Sequence, residues 1–334
     1  MAKAFFYLQM SIFFQKGGLL STIQDLGRQN FRRFGINPNG AMDRQAARLI
    51  NILLGNFETE AVLEMHFPAP ILEFEANAII ALGGADFGAR LNEKPIENWR
   101  PFFVEKGDVL KFTKKNFGNR AYLAVKDGFA VEKWLGSSST NLRAKIGGFS
   151  GRSLQTGDRI EFNEKWKMED GKFSSQNLKF PYKISNDLIP PYSSTPTVRI
   201  VAGEEFEGLT ALSEQYLSTE SFTISINSDR MGFRLRGKPL YLLDNIELVS
   251  SAITFGTIQL LPDGQMIILM ADHQTSGGYP RIAHVALVDL PIVAQLGAND
   301  RVSFELISLA DAENILLQKE SELNRLKFAI QNKS

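Results

Sequence analysis

The sequence predicts a mainly β protein with short helices, built as two barrel-like halves in tandem. Three observations carry that expectation. Apolar residues alternate over short runs separated by Gly, Asn, Asp and Pro, the pattern of half-buried strands and tight turns. Phenylalanine is abundant, at 25 of 334 residues, and aromatic residues favour the pleated surface of a strand. A six-residue pattern also recurs: Gly107-Asp108-Val109-Leu110-Lys111-Phe112, Gly157-Asp158-Arg159-Ile160-Glu161-Phe162 and Asn299-Asp300-Arg301-Val302-Ser303-Phe304. Each copy reads as a turn launching an alternating strand that ends in Phe. The second and third copies would each close one β domain.

These marks divide the chain into an N-terminal extension (1–10), a first β domain (11–162), a connection (163–197), a second β domain (198–308) and a C-terminal amphipathic helix (309–334). Met10 reads as the natural start. The apolar run before it is too short to span a bilayer, and no small-residue cleavage site follows. Ser11 to Phe14 begin the first strand. A helix is expected from about Asp43 to Leu54, capped by Asp43, with Ala46, Ala47, Leu49, Ile50, Leu53 and Leu54 on its apolar face and Gly55-Asn56 at its end. A second short helix or turn is expected near Thr59 to Leu63. Short strands follow, among them Val62 to His66, Ile71 to Phe74, Ala78 to Leu82, Val109 to Phe112 and Tyr122 to Val125. Gly83-Gly84 reads as a turn after its strand. Proline and lysine mark 163–197 as an interdomain connection. Beyond it come strands near Val198 to Val201, Phe222 to Ile226, Thr257 to Leu260, Met266 to Ala271 and Ile282 to Leu287. Short helices are expected at Ala211 to Leu217 and from Leu290. From Asp311 to Ile330, Leu316, Leu323 and Ile330 recur every seven residues, a helix stripe that packs on the domain edge or on a partner.

Composition narrows the chemistry. Lys+Arg and Asp+Glu are both 37, so the formal net charge is zero, which leaves no electrostatic footprint for nucleic acid or a membrane surface. It fits a subunit that hides surface in a complex, and self-association into a homo-oligomer is allowed as well. Cysteine is absent, which excludes disulfides and thiolate chemistry and is compatible with a cytoplasmic location. With only three histidines, no metal site is expected, and His66 reads as a packed or surface residue on its strand. There is no Walker-type loop, no dinucleotide fingerprint, no nucleophile elbow and no zinc-protease pair.

What remains is carboxylates, arginines and amides on loops. Gln24, Asp25 and Arg28 cluster after the first short apolar piece, either as an ion pair bracing a loop or as groups for a polar ligand. Asp43 either caps its helix or serves a site. Asp272-His273-Gln274-Thr275-Ser276-Gly277-Gly278-Tyr279-Pro280 follows an apolar strand. Alone it is a turn, yet it packs many hydrogen-bonding side chains into the kind of loop where sites gather. Asp25, Asp43, Asp229 and Asp272 are the general-base candidates, and Arg28, Arg44 and Arg230 the anion or oxyanion stabilisers.

Taken in order, the segments Gly18 to Arg28, Gly40-Ala41-Met42-Asp43-Arg44, Ser228-Asp229-Arg230-Met231-Gly232, Gly256-Thr257-Ile258-Gln259 and Asp272 to Pro280 resemble the KipA / allophanate-hydrolase-subunit-2 family, also called biotin-dependent carboxyltransferase-like. The likeness runs from about Ser11 to Ser308 and is strongest to the 5-oxoprolinase branch. It implies two cyclophilin-like β barrels in tandem. It also implies ATP-dependent opening of 5-oxoproline to glutamate, together with a KipI-like and a LamB/YcsF-like subunit. Two other readings come with it: the carboxyltransferase part of a biotin-dependent urea or amide carboxylase, and a non-catalytic regulator that binds a KipI-like kinase inhibitor. On the reading of these loops the expected catalytic residues are Asp25, Asp43, Asp229, Arg230 and Gln274. Substrate contacts are Gln24, Arg28, Arg44, Gln259, Asp272, Thr275, Ser276, Gly277, Gly278 and Tyr279. The sequence departs from the family at Ser276 (usually threonine), at His273 (usually arginine or similar) and at Ser250-Ser251-Ala252-Ile253, which lacks a glycine.

Overall fold

The structure, a computed structural model, describes residues 10–163, 180–244 and 248–332. The expected N-terminal extension, Met10 apart, and the middle of the expected connection lie outside the described residues. The first half holds two sheets. In one, Arg159–Glu161 pairs with Ser11–Lys16, followed across the sheet by Ile71–Phe74, Val109–Phe112, Ala89–Leu91 and Lys94–Pro95. In the other the order is Ser21–Gln24, Val62–Met65, Phe117–Val125, Ala78–Asp86 and Pro101–Val104. Alternate residues of both sheets, such as Phe14, Leu72, Phe74, Leu63, Leu82 and Leu123, meet in one core. The second half is a closed seven-stranded barrel. Thr197–Ala202 closes it by pairing antiparallel with Arg281–Val285 and parallel with Arg301–Leu306.

The recurrent six-residue pattern is one turn built three times. Gly107, Gly157 and Asn299 all have positive φ, at 91°, 94° and 71°. The Asp that follows each accepts a bond at Oδ2 from the backbone N–H three residues before it: Glu105 at 2.8 Å, Gln155 at 2.7 Å and Gly297 at 2.8 Å. The same Asp carbonyl then receives the N–H of Phe74, Phe14 or Ile224 in a neighbouring strand. A left-handed residue and an Asp thus set both the turn and the register.

The first helix is Arg44–Leu53, and the Asp43 side chain accepts from Ala46 N at 2.8 Å. It lies on the outer face of the second sheet, where Val62, Ile79, Ala81, Tyr122 and Ala124 form a further core with it. Ala78–Asp86 is therefore covered on both faces and reads as a continuous apolar run. Gly83-Gly84 is not the expected turn, because the strand continues through it to Asp86. A Cβ on Gly83 would meet Ile50 and Trp99, and one on Gly84, at φ +74°, would come 2.4 Å from the Arg120 carbonyl. The glycines mark close packing and a register shift against Phe117–Val125. Of the short helix or turn expected near Thr59 to Leu63, the structure has the turn, with Glu60 N donating to the Phe57 carbonyl at 3.0 Å. Those residues turn into the strand Val62–Met65, whose four residues are all buried.

The C-terminal helix, Leu309–Gln331, packs on the first helix through Leu323 and Ile330. Arg48 forks onto Glu320 with bonds of 2.6 and 2.7 Å. The described end of the expected connection is well packed: Phe180, Tyr182, Ile184, Leu188, Ile189 and Tyr192 cover the same helix. No helix among the described residues is long and apolar enough to cross a membrane.

Candidate active site between the two halves

The strands Val62–Met65 and Phe117–Val125 pair with Tyr122 opposite Glu64. Glu64 is a lone acid in an apolar strand and is fully buried. Its Oε2 accepts from Tyr122 Oη at 2.8 Å and from Met42 N at 2.9 Å. Its Oε1 accepts from Arg230 Nη1, which comes from the second barrel. Arg230 also donates Nε to Asp272 Oδ2 at 2.9 Å, and Nη2 to Asp272 Oδ1 at 3.1 Å and to the Gly40 carbonyl at 2.6 Å. Asp272 Oδ1 receives Asn39 Nδ2 at 2.7 Å, and Asn39 Oδ1 receives Arg28 Nη1 at 2.7 Å. Motifs scattered along the chain thus join in one polar network that ties the halves together. Burial opposes the charge on Arg230, but Asp272 and Glu64 outweigh it and hold the guanidinium above its ordinary value.

A cleft of about 900 Å³ opens beside this network. Asp229, Arg230, Asp272, Gln274 and Thr275 line it from the second half, as the sequence suggested. The first half supplies Asn37, His66, Arg120, Asn141 and Arg143, which sequence reasoning did not place there. Asp229 is exposed, and its Oδ1 accepts from Met231 N at 2.8 Å and from Gly232 N at 3.3 Å. Gln274 is exposed at the mouth.

The other candidates sit elsewhere around the network. Asp25 is buried behind the cleft. Its carboxylate accepts from Ser137 Oγ (2.7 Å), Ser139 Oγ (2.5 Å), Ser138 N (2.6 Å) and Gly27 N (2.7 Å), so its acceptor sites are filled by the loop that it holds. Gln24 donates to Thr22 Oγ1 and the Thr140 carbonyl, and its Oε1 is buried without a partner. Arg28 stacks over Trp134; burial pushes its guanidinium down, against Asp25 and Asp272. Asp43 is fully buried. Its Oδ2 accepts from Tyr192 Oη at 2.6 Å and Gln295 Nε2 at 3.0 Å. Burial raises its carboxyl to about 6, against those hydrogen bonds and with a push from Glu64. Arg44 lies over Phe255 and lines a different cavity, of about 540 Å³, beside the C-terminal helix.

The loop after Thr275 leads away from the cleft. Ser276–Gly277 pairs with Ser251–Ala252, so two of the departures from the family pattern are cross-strand partners. A Cβ on Gly277 would stand 2.8 Å from Gln259 Nε2, which donates to the Tyr279 carbonyl at 3.2 Å. Gly278 and Tyr279 line a separate cavity of about 460 Å³. His273, the remaining departure, is buried, and burial lowers its imidazole. Among the described residues no three His, Asp or Glu side chains converge as a metal set.

The residues that sequence reasoning missed left faint signals. Glu64 is the only charge in an otherwise apolar strand, and Ser137-Ser138-Ser139-Thr140 is a hydroxyl run placed far from Asp25 along the chain.

Comparison with known proteins bears on this geometry. Residues 34–306 match the family described as "Carboxyltransferase domain, subdomain A and B". The chain belongs to this family. It is 37% identical to the C subunit of 5-oxoprolinase from Haemophilus influenzae over 94% of this chain and 97% of that protein. It is 32% identical to the protein of the same name from Escherichia coli, over 96% of this chain and 98% of that one. Among solved structures, the K. lactis urea amidolyase superposes with a TM-score of 0.88 at 26% identity, covering 97% of this chain and 20% of that chain. The carboxyltransferase architecture, mainly β with tandem barrel-like halves, is therefore shared by this chain and its relatives.

Proposed function

We propose that this chain is a subunit of an ATP-dependent 5-oxoprolinase that opens 5-oxoproline to glutamate. In this reading it works with a KipI-like and a LamB/YcsF-like subunit. The observation that carries the reading is the near end-to-end 37% identity to the Haemophilus influenzae 5-oxoprolinase protein. The cleft suits a small cyclic amide. Arg230 is a cation fixed on both sides, Gln274 and Thr275 offer neutral donors and acceptors at the mouth, and Asp229 is the one carboxylate there not enclosed by side-chain donors. Asp229 would handle a proton at the amide, and Gln274 and Thr275 would orient it. Asp25 and Asp43 would act at a distance, by holding the loop and the helix that frame the cleft.

The N-terminus of the first helix does not offer the phosphates of ATP a site. This helix, Arg44–Leu53, starts at the network and is capped by the buried Asp43 carboxylate, which would repel a phosphate. ATP would supply the drive for opening the ring, and in this reading the partner subunits hold it. The superposition on urea amidolyase favours a second reading, a carboxyltransferase half that takes carboxybiotin and an amide acceptor.

The test is to co-purify this chain with its two partners and measure ADP and glutamate released on adding 5-oxoproline. Release that requires all three chains is the expected result. No release from the full complex refutes the reading, and urea-dependent consumption of carboxybiotin would replace it with the second.

A further inference from the structure

At the inner end of the cleft, Arg120 and His66 stand side by side. The pairing of Ala121 with Met65 brings Arg120, inside the strand Phe117–Val125, opposite His66, the residue that follows the strand Val62–Met65. Both line the cavity. Arg120 is 5% exposed. Its Nη1 is used by the carbonyls of Ala294 and Leu296, which tie it to the second half. Its Nε is buried with no partner, and both of its guanidinium bonds to described residues use Nη1, not Nη2. The His66 ring is in the same condition: Nε2 is buried and unpartnered, and Nδ1 has no bond among the described residues. Buried polar groups are rarely left unpaired, and two orphans beside one cavity call for a ligand.

The chemistry of that ligand follows from the donors. The Nε/Nη2 edge of a guanidinium is a planar fork that matches a carboxylate. The nearby acids do not occupy it. Glu64 is engaged by Arg230, Tyr122 and Met42, and Asp272 by Arg230 and Asn39. Burial and the charges of Arg120 and Arg230 push the His66 imidazole down to about 2, so it is neutral at working pH and keeps one N–H to donate.

We infer that Arg120 and His66 form a subsite for the carboxylate of a small organic acid, with Arg120 Nη2 and a His66 ring nitrogen as its donors. The identity of that acid rests on the reading above: 5-oxoproline carries one carboxylate beside its ring amide, whereas urea carries none. The subsite would then hold the acid at the inner end and present its amide to Asp229 and Gln274.

The full chain, without partners or nucleotide, tests this by NMR, because only three histidines are present. Titration with 5-oxoproline should shift the His66 ring signals and leave His284 unmoved. The neutral lactam 2-pyrrolidinone should bind at least tenfold more weakly. His66→Leu should weaken 5-oxoproline binding about tenfold and leave 2-pyrrolidinone binding as it was. Equal binding of the two lactams, a silent His66, or equal displacement by inorganic phosphate would each overturn the subsite. In the full complex, turnover with a silent His66 overturns the subsite and leaves the activity standing; a responding His66 without turnover supports the subsite and refutes the activity.

Discussion

Replacing Asp43 with asparagine should invert the order of stability between variant and native chain as pH rises. Asp43 is fully buried, and its carboxyl is raised from an ordinary 3.8 to about 6. A raised folded value means that the folded chain keeps its proton longer than the unfolded chain. Stability from this group is therefore full below about 3.8 and is lost as pH rises through about 6. At about 1.4 kcal/mol per pH unit, ionising Asp43 costs the folded state about 3 kcal/mol. Asparagine still caps the helix at Ala46, but its amide faces Gln295 Nε2, a donor already placed by bonds from Asn119 N and Arg120 N to its Oε1. That mismatch costs about 1–2 kcal/mol at every pH. Near pH 4 the variant should be less stable by that amount; at pH 7 it should be more stable by about 1–2 kcal/mol. Urea unfolding of both chains at intervals between pH 4 and 8 measures the difference. His66, held neutral down to about 2, acts with the opposite sign in both proteins, so the difference curve isolates Asp43. A difference that stays constant with pH would refute the account of Asp43.

Other perturbations probe the network and the cleft. Arg230→Met removes the cation shared by Glu64 and Asp272 and strands both acids; a loss of about 3–5 kcal/mol is expected in chemical denaturation, and a loss below about 1 kcal/mol would mean that the halves are held otherwise. Gly84→Ala places a Cβ 2.4 Å from the Arg120 carbonyl at a positive φ; the melting temperature should fall by several degrees, and an unchanged value would show that the backbone gives way. Gln274→Ala and Asp229→Ala, both at exposed positions, should stay within about 0.5 kcal/mol of the native stability while turnover by the complex is abolished; full activity in both would remove them from the site.

Local chemistry sets most of the fold's parts. The Gly/Asn-Asp turns before residues 109, 159 and 301, the Asp43 cap and the apolar stripe of the first helix all depend on neighbours within a few positions, and these are legible in order along the chain. The glycines at 83 and 84 mislead because a glycine demanded by packing looks in sequence like a glycine demanded by a turn. Only Ile50, Trp99 and the Arg120 carbonyl, distant along the chain, distinguish the two.

The motifs Asp25, Asp43, Asp229-Arg230 and Asp272 to Thr275 are also visible in sequence, as polar clusters between apolar strands. Their roles are not, because the role of a carboxylate depends on which donors reach it. Asp25 has four filled positions, Asp43 is sealed beneath two hydroxyl and amide donors, and Asp229 stands in the open. Glu64 and Arg230 are 166 positions apart, and Arg120 meets His66 only because two strands pair in one register. Residue order alone specifies most of the strands and turns, Gly83-Gly84 excepted, and the family. The closure of two halves on one another decides which charges face a cleft and which are spent holding it together, since hydrogen-bond reach is a few ångströms in space and carries no memory of distance along the chain.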